Sequence, residues 1–112
     1  MAMIEISAED IVMNLVMHGG DARSLAIEAM RFARQKDFAK AESLLADAQK
    51  ALNEAHNFQT DLIQSEMGGG DPVRVSLLMV HGQDHLMNAM TVLDLAAEIV
   101  ALNKQLHEQG SI

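Results

Sequence analysis

The rest of the chain is organised around residues 77–93, L-L-M-V-H-G-Q-D-H-L-M-N-A-M-T-V-L. This stretch has the apolar content of a buried helix, against which other helices can pack. Three polar residues, His81, Asp84 and His85, nevertheless fall inside this stretch. Helical spacing places them on neighbouring positions of one face. A polar trio in an apolar helix is costly unless it is paired, metal-bound or used in chemistry.

A helical wheel separates two apolar faces of this helix. The broad face is expected to pack on the other helices of the same chain, and it holds Val75, Leu78, Met79, Gly82, Leu86, Ala89, Met90, Val92, Leu93, Ala96 and Val100. A narrower stripe, which a single three-helix subunit would expose, holds Leu77, Asp84, Asn88, Leu95 and Leu102. Parallel copies of the helix would bury that stripe. We therefore expect a homotrimer with the third helix at its centre.

The same wheel gives the three polar residues different environments. Asp84 is expected near the symmetry axis, where copies of one carboxylate must be protonated or bind a cation such as Mg²⁺. The competing interpretation is a solvated surface carboxylate beside Asn88. His81 falls on the seam between the two faces, where a partner protein can reach a reactive imidazole. His85 is directed toward the core, where a buried ring with satisfied hydrogen bonds is expected.

The rest of the chain predicts two further helices and no strand. The first helix covers about 8–34, with a kink at Gly19-Gly20, and the second covers about 38–66, with Asp37 as its N-cap. Asp71-Pro72 is expected to open the third helix, which runs to about 108. Short connections make neighbouring helices antiparallel. The predicted fold is all-α, an up-down-up three-helix bundle in a single domain, 1–112.

Composition narrows the class of function. The 112 residues carry a formal net charge of −8, from 16 acidic and 8 basic residues, which argues against nucleic acid and anionic membranes as partners. Cysteine is absent, so disulfides, thiolate nucleophiles and cysteine-zinc sites are excluded. We find no uninterrupted apolar run of about 18 residues and no signal peptide, and we expect a cytoplasmic protein without direct membrane insertion.

Three further histidines are assigned structural roles. His56 is expected to form hydrogen bonds beside Asn53 and Gln59 on the second helix, within possible reach of the reactive histidine. His18 lies beside the glycine pair. His107 lies in the last turn of the third helix, where a cation favours the helix dipole.

Residues 81–85, H-G-Q-D-H, are compatible with three kinds of protein. His81 and His85 have the spacing of the H-E-x-x-H zinc helix, which together with Asp84 would suit a metal-dependent hydrolase, although Gly82 stands where the catalytic glutamate would be. Alternatively His81 is itself the nucleophile, because a neutral imidazole can attack phosphorus near pH 7. A carrier between proteins needs no phosphate-binding nucleotide loop, and the chain has none. The third possibility is a catalytically inert assembly module.

Four segments match one family in order and spacing: G-G-D-A-R-S (19–24), D-F-A-K-A (37–41), A-L-N-E-A-H-x-x-Q-T (51–60) and V-H-G-Q-D-H-L-M (80–87). The chain therefore resembles the lactose/cellobiose-type enzyme IIA of the bacterial phosphoenolpyruvate-dependent sugar phosphotransferase system. The resemblance covers nearly the whole chain.

The resemblance implies an all-helical homotrimer in which His81 is phosphorylated and Asp84 of each chain binds a metal ion at the trimer axis. It also implies a relay, in which the protein accepts phosphate from phospho-HPr and passes it to a cysteine of enzyme IIB. Enzyme IIB would then phosphorylate a disaccharide brought in by the membrane enzyme IIC. Within the family, the sequence is more similar to the cellobiose/chitobiose branch than to the lactose branch.

Overall fold

The computed structural model describes residues 8–69 and 75–112 and forms three helices. They are α1 (Ala8–Arg34), α2 (Phe38–Met67) and α3 (Leu77–Glu108). No strand occurs in this part of the chain. The predicted all-α three-helix fold is thus confirmed, and the first two helices have nearly the predicted bounds.

The turn between α1 and α2 follows the chemistry of its sequence. Lys36 adopts a left-handed backbone conformation with φ of 66°. Asp37 then caps α2, because its side chain accepts a hydrogen bond from the Lys40 backbone N–H at 3.2 Å. The turn is short enough to bring α2 back along α1 in the opposite direction.

The start of α3 differs from the prediction. Val75 and Ser76 are not helical, and the helix begins at Leu77. Ser76 is the N-cap, and its hydroxyl accepts a hydrogen bond from the Met79 backbone N–H at 3.1 Å. The predicted opening of α3 at Asp71-Pro72 was wrong for this boundary, because the described helix starts at Leu77 behind the Ser76 cap. Asp71 and Pro72 themselves lie outside the described residues.

Helix α1 is the middle element of the subunit. It packs along both α2 and α3, whereas α2 and α3 touch each other much less. The contact surfaces are rich in fully buried alanine, whose small side chain allows helices to lie close together: Ala22, Ala26, Ala29, Ala33, Ala41, Ala48, Ala55, Ala89 and Ala96. The broad face of α3 packs on both other helices as expected, and most of it meets α1.

Two glycines set the distance between α1 and α3. A Cβ atom on Gly82 would lie 3.3 Å from Val12 Cγ1 and 3.5 Å from Leu15 Cβ. A Cβ atom on Gly19 would lie 3.3 Å from the backbone carbonyl of His85. Because Leu15 lies opposite Gly82 and Gly19 lies opposite His85, α1 and α3 run parallel. Both glycines lie at the level of the polar trio.

Seven residues of α3 are buried, at spacings of three and four: Met79, Gly82, Leu86, Ala89, Leu93, Ala96 and Val100. All seven belong to the predicted broad face. Leu78, which was also placed there, is 53% exposed, and Val75 lies outside the helix. The predicted second stripe is exposed in the single subunit, including its three leucines Leu77, Leu95 and Leu102.

Two polar contacts tie α2 to α3. The Lys104 ammonium donates to Glu42 Oε1 at 2.9 Å, and this hydrogen bond together with the charge of Glu42 raises the pKa of Lys104 above its usual value. Gln59 Nε2 donates to Gln83 Oε1 at 2.6 Å between α2 and α3. These contacts hold the sparsely packed pair α2 and α3 in register.

By length and apolar composition, α3 is the one described helix that could cross a membrane. The core helix of a bundle meets the same criterion, and seven residues of α3 are buried against its own subunit. Three of its exposed leucines, Leu77, Leu95 and Leu102, lie on the second stripe. The composition of α3 is therefore that of a helix with two contact surfaces.

Candidate functional site: a histidine pair beside an open groove

The His81 and His85 rings lie one helical turn apart on α3 and contact each other. His81 Nε2 is 3.2 Å from His85 Nε2, and the ring centroids are 4.6 Å apart with an interplanar angle of 79°. His81 is exposed and His85 is half-buried. The i, i+4 spacing thus produces a histidine pair that is open to the surface on the His81 side.

The short Nε2–Nε2 distance constrains the protonation of the pair. Two ring nitrogens at hydrogen-bond distance require that one donates and the other accepts. When His85 Nε2–H is the donor, His81 Nε2 presents a lone pair, as a nucleophile must. The expectation that His85 is buried in the core was wrong, because the close approach of Gly19 to the His85 backbone leaves the His85 ring directed along α3 toward His81.

Asp84 lies on the exposed stripe, as predicted. Its carboxylate is exposed in the single subunit, and the neighbouring Asn88 side chain donates to the Asp84 backbone carbonyl at 3.0 Å rather than to the carboxylate. Within residues 8–69 and 75–112 no group of three histidine, cysteine, aspartate or glutamate side chains is placed to hold a metal ion. Within the described residues, one subunit therefore offers a single carboxylate at this position.

A groove between α1 and α3 lies beside the histidine pair. It has a volume of about 370 Å³ and is lined by Arg23, Asp84, His85, Asn88 and Val92. In the sequence, Arg23 is part of the G-G-D-A-R-S segment (19–24) that resembles the family, and no role was predicted for it. Arg23 follows Gly19 by four residues and therefore lies on the side of α1 that faces α3, but only the structure shows that Gly19 packs on α3.

The other three histidines lie away from this pair in structural surroundings. His18 Nδ1 is 3.5 Å from the Glu54 carboxylate on α2, and the His107 ring packs at 5.5 Å on Phe38. His56 is exposed on α2. The residues expected to bond His56 have other partners, since Gln49 donates to Asn53 and Gln59 donates to Gln83.

A small helical subunit that exposes a paired histidine beside an open groove is suited to carry a reactive group between partners. Comparison with known proteins makes the class specific. The family model for the PTS system, Lactose/Cellobiose specific IIA subunit, matches residues 10–104.

Relatives and solved structures agree with that match. The lichenan-specific phosphotransferase enzyme IIA component of Bacillus subtilis is 50% identical over 101 residues, covering 90% of this chain and 91% of the relative. The cellobiose-specific enzyme IIA of Bacillus anthracis superposes with a TM-score of 0.86 at 48% identity, covering 94% of this chain and 95% of that one. The IIA(chitobiose) protein of Escherichia coli, solved in complex with HPr, superposes with a TM-score of 0.77 at 40% identity, covering 92% and 99%.

The chain belongs to the lactose/cellobiose-specific IIA family of the phosphotransferase system. The predicted family is confirmed, and the protein is a phosphotransferase component that carries phosphoryl groups. The alternative of a metal-dependent hydrolase built on His81, Asp84 and His85 receives no support from these relatives.

Proposed function

We propose that His81 Nε2 is the atom that carries the phosphoryl group. The observation that supports this most directly is the 3.2 Å contact between His81 Nε2 and His85 Nε2, in which His81 stays exposed and His85 can act as the donor in one tautomer. The H-G-Q-D-H-L-M segment around His81 is also part of the family match.

The proposed step is a direct exchange of nitrogen–phosphorus bonds. The His81 Nε2 lone pair attacks the phosphorus of a donor phosphohistidine, the donor's N–P bond breaks, and the donor imidazole keeps the electron pair. His85 Nε2–H then donates to an oxygen of the transferred group instead of to His81 Nε2. In the second transfer, the thiolate of an acceptor cysteine attacks the phosphorus on His81. The P–N bond to His81 breaks as the P–S bond forms, and the His81 imidazole keeps the electron pair. Positioning and charge stabilisation dominate such transfers.

The proposed donor is HPr, with which the similar Escherichia coli protein forms a complex. The proposed acceptor is a cysteine of the matching enzyme IIB. Relatives named for lichenan, cellobiose and N,N′-diacetylchitobiose support a β-linked disaccharide of the cellobiose/chitobiose type as the sugar of this system. The protein itself needs no sugar site, and it works in the cytoplasm, where both protein partners are found.

We further propose that the subunit assembles as a homotrimer through the exposed stripe of α3 and that Asp84 faces the symmetry axis. A carboxylate oxygen is a suitable ligand for Mg²⁺, and one such ligand per subunit fits a site completed by symmetry-related copies. The ion would offset repulsion between the Asp84 carboxylates. Its role would be structural.

Incubation with phosphoenolpyruvate, enzyme I and HPr tests the carrier role. We expect one phosphoryl group per chain in the wild type and none in His81→Ala, because His81 is the exposed member of the histidine pair and His85 is half-buried. His56→Ala is the matched control, since it removes an exposed histidine from α2 and should leave uptake unchanged. Full phosphorylation of the His81→Ala variant would exclude the proposal.

A further inference from the structure

The groove beside the histidine pair is lined by a positively charged side chain, Arg23, to which the proposed function assigns no role. Arg23 lines it, opposite His85. Among residues 8–69 and 75–112, Arg23 makes no ion pair, although Asp84 lines the same groove. An arginine that stays unpaired in a concave site of a strongly acidic protein is available to an anionic ligand.

Helix geometry directs this side chain toward the histidine pair. Gly19 contacts the His85 backbone, and Arg23 follows Gly19 by one helical turn on nearly the same face of α1. Side chains of a helix lean toward its N-terminus. Because α1 and α3 are parallel, the Arg23 side chain therefore leans back from the level of Asn88 toward the level of His85.

We propose that Arg23 is a positioning residue for the phosphoryl group on His81, with its guanidinium holding phosphoryl oxygens in the groove that His85 and Asn88 also line. The inference rests on the proposed function, and it adds that Arg23 supplies the positive charge that compensates the negative charge of the phosphoryl group. A phosphoryl group brings nearly two negative charges, and a guanidinium fork matches its oxygens.

The chain provides a matched control for this charge. Arg31 is also exposed on α1 and also makes no ion pair within the described ranges. It lines a different groove, of about 320 Å³, with Ile27, Met30, Arg34 and Ile99. Arg23→Met and Arg31→Met therefore change net charge equally, but only the first removes a cation from the histidine side.

The first measurement is the pH titration of the ³¹P resonance of the phosphorylated protein. We expect the second pKa of the phosphoryl group to rise by roughly 0.5 or more in Arg23→Met, since the dianion loses a neighbouring cation. Arg31→Met should match the wild type, and Arg23→Lys should return most of the shift. A purely structural role of Arg23 would not move this pKa, so equal values in Arg23→Met and Arg31→Met would overturn the inference.

The second measurement is the rate of phosphoryl transfer from phospho-HPr, with sedimentation as a check on assembly. We expect kcat/KM to fall roughly 10-fold in Arg23→Met and to stay near the wild-type value in Arg31→Met. Dissociation of the oligomer in Arg23→Met alone would assign Arg23 to the axial carboxylates and overturn the inference. Wild-type protein that accepts no phosphoryl group would overturn the proposed function as well, whereas normal wild-type uptake with equal variants overturns the Arg23 role alone.

Discussion

The His85 ring is the hydrogen-bond partner of His81 Nε2, the atom proposed to carry the phosphoryl group. The two Nε2 atoms are 3.2 Å apart, so the protonation of one ring fixes the hydrogen-bonding role of the other. The H-x-x-x-H spacing predicts that two histidines are neighbours on one face of a helix. It does not predict whether the two rings face each other or other parts of the protein. The half-buried position of His85 makes its ring the less mobile of the two, and it therefore orients the exposed His81 ring.

Replacing His85 by phenylalanine tests this orientation. Phenylalanine keeps a ring edge against His81 but cannot donate to Nε2, so we expect the rate of phosphoryl uptake to fall roughly 10-fold while His81 stays the phosphorylated residue. Rapid-quench transfer from phospho-HPr measures the rate. His56→Phe, on the exposed face of α2, should transfer at the wild-type rate, and an undiminished rate in His85→Phe would contradict the orienting role.

At the scale of helices, the contact between α1 and α3 places the histidine pair. Gly19 and Gly82 occupy the points where a side chain would strike the other helix. Gly20 is adjacent to Gly19 in a helix interior but has open space around its Cβ position. The two neighbouring glycines therefore have different reasons to lack a side chain, and the difference is measurable.

Alanine at each position separates these reasons. Gly20→Ala should stabilise the protein by about 0.5–1 kcal/mol, because alanine has the higher helix propensity and nothing opposes its methyl group. Gly19→Ala should be the less stable variant by about 1–3 kcal/mol, because its methyl group meets backbone atoms of His85 that cannot swing away. Urea unfolding at one fixed protein concentration makes the comparison. Equal stabilities of the two variants would show that α1 can shift without cost.

At the scale of the whole molecule, the subunit is a thin slab that leaves one face of α3 uncovered. Its principal extents are 59 × 29 × 21 Å. Leu77, Leu95 and Leu102 are each more than half exposed along this face, and Asp84 lies between the first two in sequence. Burying this stripe against copies of itself would remove apolar area from water and bring carboxylates together at one level.

The Asp84→Leu variant tests the axial placement of this carboxylate. Replacing buried like charges by an apolar layer should preserve or tighten the oligomer, by about 1–4 kcal/mol. Sedimentation at decreasing concentration measures this, and a chelator should loosen the wild type but leave Asp84→Leu unaffected. Asp94→Leu, on the polar side of α3, is the control and should sediment like the wild type. Monomers in Asp84→Leu would contradict the axial placement.

Spacing along one helix fixes which residues share a side, so the amino-acid sequence was enough to predict the three helices, the Asp37 cap and the two apolar faces of α3. It also indicated His81 and the family, since the H-G-Q-D-H-L-M segment is local. Contacts between different helices cannot be read from spacing along one helix. The packing in the structure shows that α1 is the middle helix and that His85 turns toward His81 rather than toward the core. It also shows that Ser76 caps α3. The groove between α1 and α3 depends on the same packing. Arg23 and His85 are 62 positions apart in the sequence, and both line this groove because the two parallel helices pack closely at Gly19.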